Sequence, residues 1–114
     1  MKASQGTSGQ VAEGMLVGAF DHRDGHVTHL RVNRRDGRCW VTFSRTTIVG
    51  EIHWLNATYL TYYRRNVASL WAVGAQLRVI EVNGKKFLRT DENQTPCDNL
   101  ARLPSIAQFR DPTV

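Results

Sequence analysis

No apolar run in these 114 residues approaches the roughly 20 that a membrane-spanning helix requires, so no transmembrane segment is expected. The first ten residues, Met1 to Gln10, hold one lysine and no apolar core of a secretory signal, which points to a cytoplasmic chain. Cysteine is scarce. Cys39 and Cys97 stand alone, and in a reducing compartment they are expected as two buried free thiols rather than as a disulfide. There is no Cys-x-x-Cys and no His-Glu-x-x-His, so no recognised zinc signature is present. Gly18, Gly25 and Gly37 are isolated, which leaves no glycine-rich loop to cradle a phosphate. Internal repeats and linkers are also missing, and the length allows one domain at most. Lysine is rare too, at three residues against twelve arginines.

What is present begins with that arginine bias. The formal charge is +5 and the sequence pI about 9.8. A basic balance favours an anionic partner, nucleic acid first, and arginine suits bidentate contacts to phosphate or carboxylate. A chain of this size buries roughly two-thirds of its unfolded surface, so it can hold its own core without staples.

Along the chain, residues 1–13 form a polar leader expected to be disordered, and a single domain is expected over 14–110. Met15 to Phe20 reads as a first strand. Asp24-Gly25 is a strong hairpin signal leading into His26 to Val32. Apolar alternation slips by one residue at Thr28, which calls for a bulge or a strand buried on both faces. Asp36-Gly37 marks another turn. Cys39, Val41 and Phe43 alternate as a strand, and from Ser44 a helix reads better. Ser44 is a good N-cap, and Ile48, Ile52 and Leu55 fall at i, i+4 and i+7. Spacing alone leaves helix and strand open for 44–55. Gly50 inside that helix costs roughly 1 kcal/mol relative to alanine. Thr58 to Tyr63 has strong strand propensity, and Leu70 to Val73 is a short strand or loop edge that Gly74 interrupts. Gln76 to Val82 and Lys85 to Thr90 flank Asn83-Gly84 as a hairpin with a type I′ turn. The tail keeps Leu100, Leu103 and Ile106 and is expected to pack irregularly on the sheet. The sum is an α+β fold: a mostly antiparallel sheet with one helix and an irregular C-terminal segment.

Phe87-Leu88-Arg89-Thr90, then Asp98-Asn99-Leu100 and Leu103-Pro104, resembles the C-terminal signature of domain-of-unknown-function family 3892, a group of small prokaryotic proteins. His26-Val27-Thr28-His29 and Ser44-Arg45-Thr46-Thr47-Ile48 resemble its upstream strand and helix, so the resemblance spans roughly residues 15–106. It departs at Gly50 and around residues 64–75. It implies a fold and a prokaryotic or mobile-element origin, and no activity. Read physically, Asp98 and Asn99 bond nearby backbone and anchor the tail, with Arg89 reaching Asp91 or Asp98.

For chemistry the sequence offers little. His22, His26 and His29 could be written as metal ligands, but their spacing matches no accepted signature, so neither a metal nor a cofactor is expected. Cys39 with a histidine, or Ser44 with His53, lacks an oxyanion loop, and no catalytic residue is assigned. The leading expectation is a non-enzymatic accessory or binding module with a nucleic-acid or protein partner. Its surface would be Arg31, Arg34, Arg35, Arg38, Arg64, Arg65 and Tyr62, with Tyr59 and Tyr63 forming a stacking platform if they share one strand face. Two alternatives stay open. One is a small-ligand protein or small enzyme with a cleft near His29, His53 and Arg89; the other is a self-associating structural protein, such as a homodimer with an aromatic seam.

Overall fold

The computed structural model describes residues 14–34, 39–64, 71–91, 98–100 and 103–112. The expected leader (1–13), the Asp36-Gly37 turn and Cys97 lie outside them. Strands β1 (Met15–Arg23), β2 (His26–Asn33) and β3 (Trp40–Ser44) form an antiparallel meander. Helix α1 (Arg45–Leu55) then crosses back to β4 (Tyr59–Arg64), which lies parallel to β1, and β5 (Trp71–Gln76) returns antiparallel. The five-stranded order is β3-β2-β1-β4-β5. A separate hairpin, β6 (Arg78–Val82) and β7 (Lys85–Arg89), follows directly. The architecture is α+β, with mostly antiparallel pairing as expected. The parallel β1–β4 pair results from the β3–α1–β4 crossover, which carries the chain over β2 and β1.

Local chemistry explains most of this. Asp24-Gly25 and Asn83-Gly84 both adopt positive φ at their two central residues, 53° and 80° in each case, as a type I′ turn requires. The slip at Thr28 is a bulge: His22 pairs with Val27 and Asp21 with His29, so Thr28 is extra and Val27 and Leu30 reach the same core. A second bulge at Gly18 lets Leu16 and Ala19 share the opposite face. Residues 44–55 are helical. The Ser44 hydroxyl accepts the Thr47 N–H at 3.3 Å, and Asn56 closes the helix in the left-handed region at φ 55°.

Two expectations are corrected. Leu55 is 73% exposed, because Ile48 and Val49 are the buried pair of α1 and Ile52 lies at the core margin. The second strand of the β4–β5 ribbon runs through Gly74 rather than stopping there. A Cβ at that position would stand 2.6 Å from Thr61 Oγ1 and 2.7 Å from Tyr63 Cε1, so the glycine lets the tyrosine ring lie close over the strand.

Both faces of the sheet are covered. On one, Val17, Leu30, Val32 and Tyr59 pack against Ile48 and Val49 of α1, Leu88 of β7, and Leu100 and Leu103 of the tail. On the other, Leu16, Ala19 and Trp40 meet Phe109, with Tyr62, Trp71 and Ile106 around them. The tail therefore serves both cores and passes from one face to the other between Leu103 and Phe109.

Candidate functional site

The tail's course is fixed by polar contacts. Asp98, with its side chain 1% exposed, accepts the N–H groups of Val27 (2.7 Å) and Leu88 (2.8 Å) and both Nε (2.9 Å) and Nη2 (3.0 Å) of Arg45. Burial pushes its carboxyl up, but the Arg45 guanidinium and the two main-chain donors outweigh that and hold it below its ordinary value. Asn99 extends β7 in a parallel bridge with Arg89. The Asp98-Asn99-Leu100 segment thus anchors the tail, as read from the sequence, although Asp98 engages Arg45 while Arg89 bonds Asp91 at 2.7 Å.

Beyond Leu103 the tail meets a gap in the sheet. The β1–β4 ladder covers only Met15–Val17 against Tyr59–Thr61. Further along, the Phe20 N–H donates to the Pro104 carbonyl (3.1 Å), and the Asp21 carboxylate accepts the Ile106 N–H (3.1 Å). A short 3-10 helix, Ile106–Gln108, then sets Phe109 onto Trp40, their ring centroids 4.9 Å apart. Gly18 makes room for it: a Cβ there would lie 2.4 Å from Phe109 Cζ. The end of the tail is held by the Trp40 indole N–H on the Pro112 carbonyl (2.9 Å) and by a two-point Arg31–Asp111 pair.

Where the tail and the outer part of β4 stand apart, a cleft of about 710 Å³ opens. Buried Thr61, Leu103 and Phe109 lie in its depth, and exposed Tyr63, Arg64, Gln108 and Arg110 mark its rim. Half-buried Trp71 lines the β5 side, stacked on Tyr62 at 5.1 Å and 13°. The Arg64 guanidinium carbon lies 5.6 Å from the Trp71 ring centroid, within cation–π range. Among the described residues that line this cleft there is no carboxylate.

The sequence-predicted binding residues separate into groups. Arg31 is paired with Asp111 and bonded to Thr42, and the aspartate hydrogen bond raises its already high pKa. Arg34 bonds Glu51 at 2.7 Å with its guanidinium 4.2 Å from the Phe43 ring centroid. Glu51 also accepts the hydroxyl of Tyr59. Burial, reinforced by that carboxylate, holds the Tyr59 phenol well above its ordinary 10.0. Arg35, Arg38 and Arg65 lie outside the described residues. Among the described residues of the set only Arg64 reaches the cleft, and Tyr62 stands behind Trp71 in the aromatic stack rather than on an open platform.

The expected cleft near His29, His53 and Arg89 takes a different form. His29 pairs with Ser44 at the start of α1, whereas His53 lies nine residues further on, roughly 13 Å at about 1.5 Å per helical residue. His53 packs edge-on against exposed Trp54, and Arg89 is buried and bonded to Asp91. None of the three lines the observed cleft. His22 lies against Phe20 and His26 stacks on Phe87, and among the described residues no three His, Cys, Asp or Glu side chains gather as a metal site. Cys39, expected buried, is an exposed free thiol, since it precedes the edge strand β3.

Sequence reasoning missed Trp71, Phe109 and Arg110. One signal was available: an isolated glycine within a strand pattern, Gly18, marks close approach by another group. Nothing in the sequence identified Phe109 as that group. Compared with protein-family models, curated proteins and solved structures, the chain matches none.

Proposed function

We propose that this chain is a non-enzymatic binding module that takes a phosphate-bearing partner, nucleic acid foremost, in the cleft between β4 and the tail. The observation that carries the reading is that Arg64 and Arg110 line the same cleft with aromatic side chains beside them and no acidic group among the described lining residues. Guanidinium groups unopposed by carboxylates attract phosphate, and aromatic faces and guanidinium planes accept bases by stacking. The net charge of +5 would aid association with a polyanion. Membership of family 3892, with its prokaryotic or mobile-element origin, and a cytoplasmic location belong to the same proposal. No helix among the described residues is long and apolar enough to cross a membrane.

The test is an anisotropy titration of labelled single- and double-stranded oligonucleotides at about 50 and 200 mM salt. Micromolar binding that weakens with salt, and is lost in Arg64→Ala with Arg110→Ala, is expected. Full retention in that double variant would reject the cleft.

A second reading, self-association, is favoured by exposed Trp54 and Leu55 at the end of α1, each 73% exposed. Sedimentation velocity across a wide concentration range should then show a dimer growing in, and a monomer throughout would discard it.

A further inference from the structure

The shape and charge of the cleft narrow its ligand. Four other described arginines, Arg31, Arg34, Arg45 and Arg89, are each bound to a carboxylate, on Asp111, Glu51, Asp98 and Asp91. Arg64 and Arg110, like Arg23 and Arg78, form no ion pair among the described residues, and of these four it is Arg64 and Arg110 that line the cleft. A protein that tracks a continuous strand spreads phosphate contacts along a groove. Here two of the guanidiniums that carry no ion pair line a single concavity, together with buried Thr61, Leu103 and Phe109. Its volume of about 710 Å³ is that of a site for one small ligand. A site of that size is matched to one nucleotide-sized unit.

Accepting the phosphate-binding reading above, we infer that the cleft recognises a terminal monophosphate on a single nucleotide unit, supplied by a free nucleotide or by the end of a strand. A terminal monophosphate carries up to two charges and three acceptor oxygens, enough for a guanidinium from each wall. A phosphate inside a strand carries one charge and has chain leading away on both sides, so it offers fewer free acceptor oxygens and less charge to two guanidiniums. Arg64 comes from β4 and Arg110 from the tail, so the two donors approach from different elements. The flat partner for the base is the exposed ring of Tyr63 or the Arg64 plane beside Trp71.

The experiment compares single-stranded oligothymidylates of one length carrying a 5′-phosphate, a 3′-phosphate or hydroxyls at both ends, by anisotropy at one salt concentration. Unlabelled nucleoside monophosphate, nucleoside and an aspartate-rich peptide serve as competitors. A phosphorylated end should bind about tenfold or more tighter than the hydroxyl-ended strand, the scale of charge-assisted hydrogen bonds lost. Nucleoside monophosphate should compete and nucleoside should not. Arg64→Gln and Arg110→Gln should each remove the end preference while circular dichroism stays unchanged, since both side chains are exposed. Tighter binding of the phosphorylated strand than of the free nucleotide would support the strand end as source, and the reverse order would support the nucleotide. Equal affinity for phosphorylated and hydroxyl ends would overturn this inference and leave the broader binding function standing. Competition by the acidic peptide equal to that of the monophosphate would also overturn it. Absence of binding by every strand and nucleotide would remove both.

Discussion

Replacing Asp98 should weaken the fold more than any surface change of similar size. Its carboxylate takes four hydrogen bonds from three parts of the chain, at Val27 in β2, Leu88 in β7 and Arg45 at the start of α1. Breaking a buried ion pair by removing one partner costs about 3–5 kcal/mol. Arg45 is 24% exposed and can recover some hydration, so Asp98→Asn should fall near the low end, about 3 kcal/mol. Asp98→Ala also strands two main-chain N–H groups, each worth about 1 kcal/mol or more, and should lose about 5 kcal/mol. For a domain of this size 3 kcal/mol corresponds to a Tm lower by about 12 °C. Urea and thermal denaturation of wild type, Asp98→Asn, Arg45→Met and the double variant measure this directly, with a coupling between the two sites of about 1–3 kcal/mol expected. The pH dependence gives a second check. The folded-state pKa lies below the ordinary 3.8, so the stabilisation is present above 3.8 and is lost as pH falls through the lower folded value. The wild type and Asp98→Asn should therefore converge in acid. A destabilisation under about 1 kcal/mol with parallel acid profiles would refute the network as an anchor.

Three further outcomes follow from the same geometry. Gly18→Ala places a methyl 2.4 Å from Phe109 Cζ and should cost about 1–3 kcal/mol, a loss that Phe109→Leu in the same chain partly restores in urea titrations. Gly50→Ala meets nothing within 4 Å in the middle of α1, and should stabilise by about 0.5–1 kcal/mol in thermal melts. In a spectrophotometric titration Tyr59 should ionise well above the ordinary 10.0. Because its folded pKa is raised, its stabilising contribution is whole below 10.0 and lost as pH rises through the folded value, and Tyr59→Phe should flatten that alkaline loss.

The fold was legible where side-chain chemistry is local. Two hairpin dipeptides, a serine cap and the slip at Thr28 each act within a few residues, and each produced the element read from it. The parallel β1–β4 pair was not legible, since it depends on a crossover that joins residues over 40 positions apart. The outward turn of Leu55 follows from where α1 ends on the sheet, which periodicity cannot report. For the site, arginine content pointed to an anionic partner but not to which arginines serve it. Arg31 and Arg34 are bound to Asp111 and Glu51 through contacts 80 and 17 residues apart, whereas Arg110, next to Asp111, reaches the cleft only because the tail crosses the sheet.

Heteronuclear NMR titration with a single-stranded oligonucleotide tests the central claim, that the Arg64–Arg110 cleft is the binding surface. Shifts should concentrate on the Trp71 indole N–H, the Arg64 and Arg110 Nε–H groups and the Tyr63 amide, with Arg31 and Arg34 unmoved. Shifts centred on Arg31 and Arg34, with the Trp71 indole unchanged, would contradict it.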